Sequence, residues 1–359
     1  EQSEWVQREV AAALNNGRAI VLTQTADLPA DGWINSTLDL AQAIDLRGGL
    51  GSEQLAKIID AARAANGRGR VIAMLNIKGG VGKTVLAANL FAAAHLADKR
   101  AISFIDLDPQ HNLTQYFLSS AERHRNRERG HTIYSVLMAK GEASCPLAQF
   151  PNIALPLSRA KRGRRPRFDL VCGDERLFEF TLDARSEREK AAAFTRFRAL
   201  VQMLRERSDA VVIDANPCAT FLTRLAITAA DHIVAPVRPE KYSLTGLNML
   251  QHVVREVRGR PLRPEEFSVL LNGVNDRPRS QDGDVDALTR EEIVAAPFFS
   301  SALLGQEVPY AGVLKSVPTD RFVANPIDVT AMMRVGGRGV KEALTRSAAA
   351  VLKRAQASS

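Results

Sequence analysis

The chain has only three cysteines in 359 residues, Cys145, Cys172 and Cys218, too scattered for a disulfide framework or a C-x-x-C site. A reducing compartment is the simpler setting for such a sequence. Its six histidines fall at 95, 111, 124, 131, 232 and 252 and show no H-E-x-x-H or comparable spacing, which argues against a zinc enzyme. No apolar run approaches the roughly 18 residues of a bilayer span. The opening EQSEWVQREV, with its acids and its tryptophan, does not read as a secretory signal. Aromatic residues make up 6% of the chain, and no interleaving of them with cations suggests a platform for stacking single-stranded bases. What remains is the composition of a soluble globular protein, 45% hydrophobic and 25% charged, with a net charge of +8. That balance favours a polyanionic partner or an anionic surface.

The first seventy residues read differently from the rest. A helix is expected over Glu4 to Leu14, stopped by Asn15-Asn16-Gly17, and a short strand over Ala19 to Leu22. After a turn at residues 28–32, Ser52 can cap a second helix running to about Ala65. Residues 1–69 therefore form an extension of mixed α/β character, without the look of a helix-turn-helix module. From Arg70 the rhythm becomes strand, helix, strand. Buried strands are expected at Val71–Leu75, Ala101–Ile105, Ala210–Ile213, His232–Val237, Phe267–Leu271 and Gly312–Leu314. Helices are expected at Thr84–Ala97, Arg188–Arg207, Leu222–Ala230 and Ser243–Val257, with a basic helical segment at the C-terminus. Short continuous apolar strands alternating with helices predict an α/β fold over residues 70–359, a mostly parallel sheet flanked by helices.

The sharpest local signal is Asn76-Ile77-Lys78-Gly79-Gly80-Val81-Gly82-Lys83-Thr84, lying between the first of these strands and its helix. Gly79, Gly80 and Gly82 permit a tight backbone whose amides can turn inward on a phosphate. The helix start adds unpaired N–H donors and the positive end of its dipole. Lys83 is placed to reach the β and γ phosphates, and the Thr84 hydroxyl to ligate Mg²⁺. The usual G-x-x-x-x-G-K-[ST] pattern needs glycine where Ile77 stands, and a second lysine, Lys78, follows it. Two acidic strand ends complete the set. Phe104-Ile105-Asp106-Leu107-Asp108 puts two carboxylates on one side of an extended chain, and Val211-Val212-Ile213-Asp214 delivers a third. A hard magnesium ion takes such oxygen donors. Alone, the loop reads as a turn and each acid as a cap; together, at matching strand ends, they read as a nucleotide site.

The double-lysine loop K-G-G-V-G-K-T resembles the deviant phosphate loop of the ParA/MinD superfamily. Phe104 to Gln110 looks like the second motif of ParA-type DNA-partition ATPases, the branch of which Soj is also a member. Val211 to Pro217 is similar to their acidic strand, with Asn216 where proline is common. Ala235 to Leu247 resembles the strand and loop that follow. The resemblance runs from Val71 to about Asn325.

It implies a P-loop ATPase using ATP and Mg²⁺ and forming an ATP-dependent homodimer. Lys78 would reach the partner subunit's nucleotide, and Lys83 would hold phosphate within its own subunit. Asp108 would position water for hydrolysis, while Thr84, Asp106 and Asp214 would make the magnesium shell. Asn272 resembles the residue that reads the adenine edge, and Gly79 to Val85 would wrap the phosphates. Val85 stands where a second hydroxyl residue is common, so a contact to the α phosphate would be missing and hydrolysis slowed.

Positive charge is clustered. Residues 159–167 hold six cations in nine positions. Of these, Arg159, Lys161, Arg162, Arg164 and Arg165 are candidate DNA contacts, together with Arg334, Arg338, Lys341 and Arg346 near the C-terminus. Arg123, Arg125, Arg127 and Arg129 form a further set, tempered by Glu122 and Glu128. Such clusters hold phosphates without reading bases. The resulting expectation is a cytoplasmic, nucleoid-associated ATPase that binds nonspecific double-stranded DNA. A ParB-like or other cargo-linked protein would activate it, in plasmid or chromosome segregation or in cargo positioning. A MinD-like membrane regulator and a scaffold ATPase without DNA are the alternatives. Val340, Leu344, Val351 and Leu352 give the C-terminal segment too little apolar moment for a stable membrane anchor.

Overall fold

The computed structural model describes residues 22–24, 43–45, 69–138, 154–156, 167–182, 185–215, 220–274, 285–310 and 338–357. The chain divides into two compact units, Glu1–Arg68 and Gly69–Ser359. In the first, strand Leu22–Gln24 pairs in parallel with Ala43–Asp45. The strand expected at Ala19–Leu22 thus meets the described one only at Leu22. The helices expected at Glu4–Leu14 and from Ser52 to Ala65 lie outside the described residues.

The second unit begins with β1 (Arg70–Met74), α1 (Lys83–Asp98) and β2 (Ile102–Asp106). Three short helices follow, α2 (Asn112–Phe117), α3 (Ser120–Glu128) and α4 (Ile133–Leu137). Next come β3 (Ala154–Pro156), β4 (Phe168–Val171), α5 (Glu187–Arg207) and β5 (Ala210–Asp214). The chain continues through α6 (Phe221–Ala229), β6 (His232–Val237), α7 (Ser243–Arg258) and β7 (Phe267–Val274). The last described elements are α8 (Val285–Ala295), α9 (Pro297–Ala302), β8 (Val308–Pro309) and α10 (Arg338–Ala357).

The strands form one eight-stranded sheet in the order β8-β7-β6-β1-β5-β2-β4-β3. All neighbours are parallel except β3 with β4. Every residue of β2, β5 and β6 is buried, as their unbroken apolar runs require of strands covered on both faces. Alternate β1 residues divide between two cores. Val71 and Ala73 pack with α4, α5, α6 and α7, while Ile72 and Met74 pack with α1, α2 and α10. Ser186 starts α5 as a capping box, accepting from the Glu189 amide and receiving its carboxylate in return.

Beyond the expected elements the structure adds the short helices α2, α3, α4, α8 and α9 and the strands β3, β4 and Ala43–Asp45. β4 was not expected because Asp169 interrupts its four residues. The interruption is compensated: Arg167 Nε donates to the buried Asp169 carboxylate at 2.6 Å. At the opposite edge the expected strand Gly312–Leu314 lies outside the described residues, and Val308–Pro309 pairs there with β7.

Candidate functional site

The sheet order aligns the candidate residues along the carboxyl ends of the parallel strands. β1 sits centrally, with β5 and β2 on one side and β6 and β7 on the other. The chain thus leaves neighbouring strands in opposite directions and opens the crevice in which α/β sheets bind ligands. The phosphate loop leaves β1 at Leu75, whose amide donates to Val234 O on β6 at 3.0 Å. Buried Asn76 then anchors the loop. Its Nδ2 donates to Pro236 O at 2.6 Å, and its Oδ1 accepts from the Lys78 amide at 2.9 Å.

Gly80 (φ 74°) and Gly82 (φ 91°) occupy the left-handed region, as a loop that points successive amides inward requires. A side chain on Gly79 or Gly80 would meet nothing within 4 Å, so this face of the loop is open to a ligand. Gly82 is confined instead: a Cβ there would lie 2.6 Å from Asn272 Nδ2, which donates to Val81 O at 2.8 Å. Asn272 at the end of β7 thus braces the loop. Lys83 folds back over it, with Nζ donating to Lys78 O at 3.2 Å. Lys78 turns to the other side, where Nζ donates to Glu240 Oε2 at 2.6 Å and approaches Lys241 O at 3.4 Å.

The three carboxylates gather beside the loop. Asp106 and Asp214 end adjacent strands and face each other in register. Asp106 and Asp214 are fully buried, and Asp108 is buried with 8% of the residue exposed. Burial raises the Asp106 carboxyl well above the usual range, the neighbouring Asp214 charge adds to this, and hydrogen bonds from Thr114 oppose it. Burial likewise raises Asp214, against the Thr84 hydroxyl and Lys83 and with the charge of Asp108. Asp214 Oδ2 has no hydrogen-bond partner although it is buried. A buried carboxylate oxygen without a donor, beside a second carboxylate and a threonine hydroxyl, is the oxygen-rich setting that a magnesium ion suits. These residues fit the ion.

The structure thus brings together Lys78, Gly79 to Val85, Asp106, Asp108, Asp214 and Asn272. Val85 packs partly buried against the α1 side of the core. Of the DNA candidates, Arg338, Lys341 and Arg346 fall among the described residues. Arg159, Lys161, Arg162, Arg164, Arg165 and Arg334 lie outside the described residues, as does Asn216. Arg338 and Lys341 are on the backbone of α10, and Arg346 on the same helix is exposed. The apolar side of α10 is spent within the fold: Val340, Leu344, Val351 and Leu352 are buried in the core shared with α1. Among the described residues no helix is long and apolar enough to cross a membrane.

Sequence reasoning assigned no role to Thr114, Gly173, Asn76 or Glu240, which the structure places against the site. Thr114 follows the Phe104 to Gln110 motif within a few residues, and Asn76 and Glu240 lie inside quoted segments without having been given a role. Gly173 is on the unexpected β4 side, and only a paired-strand expectation there would have pointed to it.

Residues 69–265 match the family profile described as an AAA domain. Two curated relatives are 32% identical. One is an uncharacterized protein of Pseudomonas putida, aligned over 230 residues, 62% of this chain and 76% of the relative. The other is the chromosome partitioning protein ParA of Caulobacter vibrioides, aligned over 192 residues, 53% of this chain and 64% of the relative. Among solved structures, pNOB8 ParA bound to nonspecific DNA superposes with a TM-score of 0.52 at 17% identity, covering 80% of this chain and 99% of that one. The ATP complex of a McdA variant from Cyanothece gives 0.54 at 16%, covering 81% and 97%. At these identities the likeness is one of fold. The profile spans more than half of the chain, which therefore belongs to this AAA-domain family of P-loop proteins. The matched residues include the phosphate loop and Asp106, Asp108 and Asp214, and the chain is a P-loop ATPase of this family.

Proposed function

We propose that this ATPase is a partition-type switch in which ATP assembles a homodimer that holds nonspecific double-stranded DNA, and hydrolysis, stimulated by a cargo-linked activator, releases it. The observation that carries the reading is the pair of lysines on one phosphate loop with different partners. Lys83 folds over its own loop, whereas Lys78 turns away from it to the rim formed by Glu240. In this reading Lys83 and the amides of Gly79 to Thr84 hold the phosphates, and Asn272 both braces the loop and faces the base. Thr84, Asp106 and Asp214 hold magnesium, which neutralises charge on the phosphate oxygens. Asp108, the least buried of the three carboxylates, orients the attacking water; positioning matters more here than basicity. Lys78 reaches the nucleotide of the second subunit and joins occupancy to assembly.

The relatives named ParA and the DNA-bound pNOB8 structure support a DNA partner in kind. The exposed cation Arg346 on α10, whose apolar side is buried, supports DNA over a membrane as the surface bound. The protein would then act on the nucleoid within the cytoplasm, with a ParB-like activator. The test is binding to random-sequence duplex without nucleotide and with ADP, ATP, or ATP plus Lys78→Ala, recording molecular mass in the same samples. ATP-specific dimers with salt-sensitive DNA binding, both lost in the variant, are expected. Dimers without DNA binding would make it a scaffold ATPase that positions another cargo.

A further inference from the structure

Asp106 is held by a device that the phosphate-loop motifs do not include. Thr114, in the first turn of α2, donates twice to the same carboxylate oxygen: its amide to Asp106 Oδ2 at 2.7 Å and its hydroxyl to Oδ2 at 2.6 Å. The Gly173 amide, just beyond β4, donates to Thr114 Oγ1 at 2.7 Å. A hydroxyl has one proton. With the Gly173 N–H directed at its oxygen, the Thr114 proton is committed to Asp106. The other carboxylate oxygen, Oδ1, faces the Asp108 amide at 3.3 Å. Donors from α2 and from the chain after β2 therefore fix the plane of this carboxylate, and the chain after β4 fixes the donor.

The cluster is closed to water, since Thr114 is 2% exposed and Asp106 0%. It is also closed to larger residues. A Cβ on Gly173 would stand 2.8 Å from Asp106 Cγ and Oδ2 and 2.7 Å from His111 Cβ. Only glycine lets that amide come near enough to orient the hydroxyl.

We propose that Thr114 is the positioning residue of the magnesium shell: its hydroxyl, oriented by Gly173, sets the direction in which Asp106 presents its carboxylate to the ion. This rests on the assignment of Asp106 to that shell. Groups that orient a metal's carboxylates through hydrogen bonds are worth roughly 10–100-fold in metal affinity.

The experiment uses the full chain loaded with ADP and Mn²⁺ as the probe, with free and bound ion separated by electron paramagnetic resonance. Thr114→Ala is expected to weaken Mn²⁺ binding by about tenfold or more. Thr114→Ser, which restores the hydroxyl without the methyl, is expected to bind near wild type. Thr114→Val carries the same expectation as the alanine variant and replaces it where that variant does not fold. Wild-type Mn²⁺ affinity in Thr114→Ala, or a serine variant as weak as the alanine one, would overturn the proposal, the latter by assigning the effect to packing of the methyl. Asp106→Asn separates the two levels. If it loses the ion while Thr114→Ala keeps it, only the role of Thr114 fails. If it too binds like wild type, the placement of Asp106 in the shell fails with it.

Discussion

Asp214 shows at a single residue how this site trades stability for binding. Its Oδ2 is buried at the end of β5 without a donor, and burial holds the carboxyl well above its usual range. An unsatisfied buried polar group costs about 1–3 kcal/mol, and more when charged. Nothing in the packing of β5 needs the charge, because the strand is otherwise Ala-Val-Val-Ile. Asp214→Asn keeps the shape and removes the charge, so it should raise the melting temperature of the nucleotide-free protein. It should also abolish the extra stabilisation that magnesium gives on top of ADP. Thermal melts of both proteins with ADP, with and without Mg²⁺, measure the two effects. A variant that melts lower without nucleotide would show that the carboxylate is satisfied in the native state.

At the scale of the element, β6 and β7 are joined by a buried pair whose titration gives the fold a predictable acid response. His232, wholly buried at the start of β6, lies with Nε2 2.8 Å from Ser268 Oγ on β7. Burial, followed by the charge of Arg354, pulls its pKa down to about 4. The folded value lies below the unfolded one of about 6.5, so the native state excludes a proton that the unfolded chain accepts. Stability from this source is complete above pH 6.5 and is lost as pH falls towards 4, by up to about 3 kcal/mol. Glu266, close by, acts in a lower window. Burial alone would raise its carboxyl, but bonds from Arg260 and Arg263 outweigh that and hold it at about 2. Its contribution is therefore lost only below about pH 4.5. Denaturant melts at pH 7 and pH 5 should show the wild type losing more stability than His232→Gln; equal losses would exclude His232 as the source.

The same strands show what was legible beforehand. Unbroken runs such as Ala210 to Ile213 and His232 to Val237 read directly as buried parallel strands, because a strand covered on both faces has no polar side to show. β4 did not read so, since its Asp169 becomes compatible with burial only through Arg167, a contact that strand periodicity does not encode. The site divides in the same way. The loop and its three carboxylates are local patterns at strand ends and were legible. Thr114, Gly173 and Glu240 act through partners brought near by the sheet order, so their roles were not legible even where, as for Glu240, the residue lies inside a quoted segment.

On the scale of the whole molecule, Lys78 stands between the single subunit and the pair. Its ammonium is held within its own subunit by Glu240 at 2.6 Å, while its backbone is fixed by Asn76 and cannot swing with it. If Lys78 serves the partner's nucleotide, this ion pair must open when the dimer forms, and its strength is subtracted from assembly. The side chains are 33% and 44% exposed, so the pair belongs with surface ion pairs, worth about 0.2–1 kcal/mol. Glu240→Gln removes the charge that retains the lysine and leaves Asn76, Gly80 and Gly82 untouched. It should therefore lower the ATP concentration needed for half-maximal dimer, by no more than about fivefold given that energy. Lys78→Ala should abolish the dimer altogether. Molecular mass followed by light scattering across an ATP titration reads both. The direction of the Glu240→Gln shift is the decisive part. A variant that dimerises less readily than the wild type would make Glu240 a contact needed in the assembled state, and the pairing with Lys78 would then be a step towards the dimer instead of a restraint upon it.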